Sequence, residues 1–156
     1  MMNFDTAFSH VIGVEGGYSN DSSDPGGETK YGISKRAYPD ENIPGMTLER
    51  AKMLYKRDYW DAAKCDLIPF PLDHLVFDAA VNQGVSPAIK MLQKVLCVPQ
   101  DGIFRADTQR KVKEAGKEAC ALFMAERALR YMGTRSFDKF GRGWLKRLFV
   151  VVMEVV

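Results

Sequence analysis

The chain has 156 residues, 46% of them hydrophobic and 27% charged, with a net charge of +2; this composition excludes a disordered or fibrous protein and fits a globular one. A chain of this length forms one domain, or one main domain with a small attached module, and can bury a core without covalent staples. So small a net charge does not argue for nucleic acid; Lys139, Arg142, Lys146 and Arg147 do gather near the end, where a solvated helix face or a surface for a polyanion would each account for them.

Cys65, Cys97 and Cys120 are odd in number and far apart, which is not a disulfide framework, and their apolar neighbours read as sites for small buried hydrophobes. The N-terminus, Met-Met-Asn-Phe-Asp-Thr, lacks a basic segment followed by an apolar one, so no secretory signal is visible and synthesis in the cytoplasm is expected.

In chain order, Phe4, Ala7, Phe8, Val11, Ile12 and Val14 recur at helical spacing and predict a helix to about Val14 or Glu15, stopped by Gly16 and Gly17. Tyr18 to Lys30 has loop composition, with turn chemistry at Asp24-Pro25-Gly26-Gly27 and room for a two-stranded hairpin between Tyr18 and Ile33. Gly32 to Tyr38 reads as a short helix. Thr47 is a credible N-cap for a helix that runs to about Trp60, with Glu49 in its first turn. Cys65 to Pro71, with two prolines, is expected to be extended and to join a lobe at 1–64 to a helical module at 72–156 packed against it.

A helix from Asp73 ends at Gly84, and Ser86-Pro87 starts the next as N-cap and first helical residue. Asp101-Gly102 marks a turn, and further helices are expected at Thr108 to Ala115, at Ala119 to Met132 and from Phe140 on. The apolar run Leu148 to Val156 is far shorter than the roughly 20 residues that cross a bilayer, and reads as a core-facing helix end without stable membrane insertion. With no sustained alternation, the fold class is all-α.

The chemistry concentrates in Val14 to Ile33. A lone Glu at a helix C-terminus meets the negative end of the helix dipole and nearby apolar residues, both of which favour the protonated form of Glu15 and suit it to general-acid work. Asp24 and Thr29 follow on the loop, where a carboxylate and a hydroxyl would hold a water or stabilise positive charge, as cleavage of a glycosidic bond requires. Turn initiation by Asp24 and helix capping by Thr29 are the ordinary readings of the same residues. Other chemistries fail: His10 and His74 lack partners at metal-ligand spacing, Asn20 to Asp24 has Pro25 where a calcium loop needs Gly, and Gly26-Gly27-Glu28-Thr29-Lys30 is not a phosphate loop. No metal or cofactor is therefore expected.

Glu15-Gly16-Gly17-Tyr18-Ser19-Asn20-Asp21, Asp24-Pro25-Gly26-Gly27 and Thr29-Lys30-Tyr31-Gly32-Ile33 resemble the signature of the glycoside hydrolase family 108 N-acetylmuramidases, lysozyme-like phage endolysins and prophage relatives, some labelled secretion activators. The resemblance implies a lysozyme-like helical fold and cleavage of the β-1,4 bond between N-acetylmuramic acid and N-acetylglucosamine in peptidoglycan, with Glu15 as catalytic residue. Asp78-Ala79-Ala80-Val81-Asn82-Gln83-Gly84, Leu92-Gln93, Asp101-Gly102, Thr108 and Phe140 to Arg147 resemble the helical peptidoglycan-binding module that accompanies the family, with Phe104-Arg105 departing from it where Gly is common.

The order Glu15, Asp24, Thr29 is also similar to the Glu, Asp and Thr of phage lysozymes, one residue shorter between Asp and Thr. That analogy implies a water held by Asp24 and Thr29 on the far face of the sugar. Tyr18, Asn20, Tyr31 and Asn82 are candidate substrate-binding residues, and Tyr59 and Trp60 are further aromatics for a sugar face or the core. The resemblance implies glycan strands as partner and release to the wall through a holin-type system; near-balanced charge and the lack of a recognised motif argue against nucleic acid, and the oligomeric state stays open. A lytic transglycosylase and a non-catalytic wall-binding or secretion accessory protein are the alternatives.

Overall fold

The computed structural model describes residues 4–13, 17–22 and 26–155. Glu15 and Asp24 lie outside the described residues, as do the expected helix end at Val14 and the Asp24-Pro25 part of the predicted turn.

Helix α1, Phe4–Ile12, buries Phe4, Ala7 and Phe8 on one side. It ends earlier than the glycine doublet suggested: Gly13 takes φ +60 while its N–H reaches Ser9 O at 3.1 Å, the left-handed helix end for which glycine is suited. Strands β1, Thr29–Lys30, and β2, Ile33–Ser34, pair antiparallel and correct the short helix expected over Gly32 to Tyr38. Their two-residue turn has Tyr31 at φ +51 and Gly32 at φ +74, the two left-handed residues that match the twist of a tight hairpin.

Helix α2, Leu48–Tyr55, starts where Thr47 Oγ1 accepts the Arg50 N–H at 3.1 Å. It runs on through a π-helical turn, Lys56–Asp61, which puts Trp60 into the core edge-on to Phe4 and Phe77 at 5.5 and 5.4 Å. Trp60 is thereby removed from any sugar face, and its Nε1 donates to Asp66 Oδ1 at 2.8 Å. Cys65–Leu67 is a 3-10 turn rather than extended chain, with extended backbone at Ile68.

Helix α3, Leu72–Gln83, is the axis of the fold. Its apolar residues Leu75, Val76, Phe77, Ala79 and Ala80 are buried, and so are Asp73, His74 and Asp78, because α1, the π turn and the later helices surround it. Gly84, at φ +95, ends it and leads directly into α4, Val85–Val95. Ser86 is consequently inside the first turn of α4 rather than its cap, while Pro87 keeps a place where no N–H is needed.

The loop after α4 is stitched by Gln93, which is buried. Its Nε2 lies 2.9 Å from Asp101 Oδ1, 3.0 Å from Ile103 O and 3.2 Å from Thr108 Oγ1, and its Oε1 accepts the Gly102 N–H at 2.9 Å. Helices α5, Ala106–Val112, α6, Lys117–Met132, and α7, Phe137–Val155, complete the chain, with α6 and α7 packed together and Tyr131 stacked on Trp144 at 4.9 Å.

Two further expectations are corrected. Cys65 is buried, but Cys97 is exposed at φ +55 and Cys120 is half-buried. The last run of α7 faces the core through Leu148, Val151 and Val155, with Val152 partly buried against it, while Phe149 and Met153 are 71% and 81% exposed. No helix among the described residues is long and apolar enough to cross a membrane.

Candidate active site

A cleft of about 590 Å³ opens where α1 ends, walled by His10, Val11, Ile12 and Gly13 on one side and by Gly143, Lys146, Arg147, Val150, Val151 and Glu154 of α7 on the other, with Asp78 of α3 at its back. The chain passes Gly13 at the cleft wall and reaches Glu15 two residues later. The described end of α1, at Gly13, is thus beside a cavity.

Behind the cleft lies a buried ion network. Arg127, fully buried, donates through Nη2 to Asp78 Oδ2 at 2.7 Å and through Nε to Gln83 Oε1 at 2.9 Å, and Gln83 Nε2 returns a bond to Arg127 O at 3.3 Å. Arg147 Nη2 takes the other oxygen, Asp78 Oδ1, at 2.8 Å, with its side chain 37% exposed at the cleft. Arg147 is therefore not a residue of a solvated helix face. One carboxylate serves two guanidiniums, so α3, α6 and α7 are tied at one point and the cluster keeps a surplus positive charge.

A second polar group adjoins it. His74, buried in α3, places Nδ1 3.0 Å from Asp73 Oδ1, and its ring lies 6.3 Å from that of His10 in the cleft wall. Among the described residues, His10 Nδ1, His74 Nε2 and Arg147 Nε are buried without hydrogen-bond partners.

Thr29 sits on β1, where its N–H and C=O both pair with Ser19 at 2.8 Å and its Oγ1 donates to Gly27 O at 3.2 Å. The hairpin is anchored to the helical body by Tyr55, whose hydroxyl donates to Tyr31 O at 3.1 Å, and by Lys30 Nζ, which reaches Pro44 O at 3.2 Å. Burial pushes the Tyr55 phenol up to about 12, so it stays a donor across the neutral range.

Tyr18 and Thr29 are brought together through Ser19 and through Glu28, which accepts the Tyr18 hydroxyl at 2.8 Å. That bond holds the Tyr18 phenol above its ordinary range, with Asn20 pulling the other way. Tyr18 and Asn20 are exposed, and Tyr31 is half-buried with its carbonyl turned to Tyr55. Asn82 stands apart from the hairpin, exposed on α3, where its Nδ2 donates to Asp78 O at 2.7 Å, one turn from the cleft. Tyr59 is partly buried against Tyr55 at 5.5 Å.

Sequence reasoning missed Arg127 and the pairing of Asp78 with Arg147. The available signal was a charge inside a buried stripe: Phe123, Arg127 and Tyr131 follow at four-residue intervals on one face of α6.

A family model described as Glycosyl hydrolase 108 matches residues 8–84, a segment that takes in Glu15, Asp24 and Thr29. Among solved structures, that of Brucella abortus SagA is similar over 97% of this chain and 92% of that one, at 32% sequence identity and a TM-score of 0.85. No curated protein matches significantly.

Proposed function

The chain belongs to the glycosyl hydrolase 108 family, which makes it a glycoside hydrolase of the peptidoglycan-degrading kind, and from that premise we propose that it cleaves the β-1,4 bond between N-acetylmuramic acid and N-acetylglucosamine with Glu15 as general acid. The observation that carries this reading is the cleft at the end of α1, two residues before Glu15. A carboxyl group held near the carbonyl end of α1 is disfavoured as an anion by the dipole, which suits it to donate a proton.

In this reading Glu15 protonates the glycosidic oxygen as the bond breaks. A water held by Thr29 and Asp24 then attacks the anomeric carbon of the oxocarbenium-like centre from the far face and gives its proton to the Asp24 carboxylate. Thr29 supports its part because its hydroxyl proton is already committed to Gly27 O, which leaves the oxygen lone pairs to accept from a water. The anchored hairpin limits the motion of that oxygen relative to the body, which is what positioning demands. Tyr18, Asn20, Tyr31 and Asn82 contact the glycan.

The catalytic lobe is residues 1–64, and residues 72–156 act as a peptidoglycan-binding module packed against it. Access to the wall from the cytoplasm is through a holin-type release system of prophage origin. Mass spectrometry of purified peptidoglycan after digestion tests the reaction: reducing muramic ends are expected. Anhydro-muramic ends would instead make the protein a lytic transglycosylase, and wall binding with no cleavage would make it an accessory module.

A further inference from the structure

The described lining of the cleft beside α1 is electrostatically unbalanced in a way the hydrolytic step does not use. Asp78 is fully engaged by two guanidiniums, one of them the buried Arg127, so the surplus positive charge resides at Arg147 on the cleft wall. Among the described lining residues, Lys146 adds an exposed ammonium on the same wall and Glu154 an exposed carboxylate.

Two nitrogen atoms of cleft-lining residues, Arg147 Nε and His10 Nδ1, are buried and have no hydrogen-bond partner among the described residues. Arg147 Nε carries a hydrogen at any ordinary pH, and His10 Nδ1 donates whenever it holds the ring proton. A buried donor without an acceptor is costly unless a ligand or a water completes it, and an anion completes both the bond and the charge.

We infer that the Arg147, Lys146 and His10 wall is a subsite for a carboxylate carried by the substrate. The inference rests on the peptidoglycan reading, in which the polymer bears carboxylates on the peptide stem and, where the stem has been removed, on the lactyl ether of the muramic sugar. Arg147 supplies the charge-assisted hydrogen bond, fixed in place by its hold on Asp78, and Lys146 draws the anion to the mouth. The subsite selects charged muramic sugars over uncharged chitin-like chains of the same backbone.

Titration calorimetry of the intact protein tests this with a soluble disaccharide–peptide, the same molecule with its carboxyl groups converted to amides, a stem-free muramic oligosaccharide, and chitotetraose. Binding of the charged disaccharide–peptide roughly tenfold tighter than of its amide is expected, the scale of one charge-assisted hydrogen bond. Arg147→Gln and Lys146→Met each bring the charged ligand down towards the affinity of the amide.

A preference shared by the stem-free oligosaccharide assigns the lactyl carboxylate; one confined to the disaccharide–peptide assigns the stem. Lys146 is exposed, so its variant keeps the test intact if Arg147→Gln fails to fold. Equal binding of charged and amidated ligands, or binding of neither, overturns the subsite. Failure of the hydrolytic reading would show differently, as absence of reducing ends from digested wall, whatever the preference in binding.

Discussion

Arg127 holds Asp78 at 2.7 Å across 49 residues of chain, with no solvent reaching the guanidinium. The pair fixes α6 against α3, and because the second oxygen of Asp78 is taken by Arg147, it also fixes the α7 wall of the cleft. A structural tie and a cleft wall therefore share one carboxylate.

Removing one member of this buried cluster strands the others. Arg127→Met is expected to destabilise the protein by about 3–5 kcal/mol, since Gln83 loses a donor and Asp78 half its compensation. Adding Asp78→Leu should cost less than the sum of the single variants, because an apolar pair of similar volume no longer buries an unpaired charge. Urea unfolding of the two single variants and the double variant measures the coupling.

Gly32 is constrained twice. It sits at φ +74, and a Cβ there would overlap the Tyr55 hydroxyl that supports the hairpin. Gly32→Ala should destabilise by about 2 kcal/mol or more, combining left-handed strain with the displaced tyrosine. In a Tyr55→Phe background the overlap is gone, since the ring carbon stands at 3.5 Å, and the same change should cost only about 1 kcal/mol of backbone strain. Equal costs in the two backgrounds would show that the hydroxyl does not restrain the turn.

Acid should weaken the fold through carboxylates that are stabilised as anions. Asp101 is held below the usual carboxylate range, first by the Ile103 N–H, then by Gln93, with Arg105 beside it; Asp58 is lowered by Arg57 and by the Tyr38 hydroxyl. A depressed pKa in the folded state gives stability that is complete above the unfolded value near ~3.9 and lost as pH falls through the folded one. Urea midpoints should therefore be level from about pH 5 to 7 and fall below about pH 4, with a shallower fall in Asp101→Asn.

The parts of the fold legible in the sequence are those decided by local chemistry. Thr47 caps α2 because its hydroxyl meets Arg50 N, Gly84 ends α3 because it adopts φ +95, and Asp101-Gly102 turns because Gln93 binds both residues. The end of α1 is not legible because a single Gly13 stops it ahead of the more conspicuous doublet that follows. The second strand, where the pattern over Gly32 to Tyr38 suggests helix, depends on Tyr31 at φ +51, an unusual left-handed residue held there by a tyrosine 24 positions away.

In the site, Thr29 was legible as a loop hydroxyl, and the hairpin that carries it was anticipated only as an option. Arg127 and Arg147 were not legible as partners, because nothing local distinguishes a guanidinium that will be buried on Asp78 from one that stays in water. Lone polar residues inside apolar stripes, such as Asp78 and Arg127, are the sequence feature that such networks leave behind.

The central claim is that Glu15 is the proton donor for glycosidic cleavage, and its most direct measurement is reducing-sugar release from purified peptidoglycan by Glu15→Gln, checked by circular dichroism to be folded. The amide cannot protonate the leaving oxygen, and a rate at least about 100-fold below that of the unaltered protein is predicted. Release by the folded variant at a rate close to that of the unaltered protein would contradict the account.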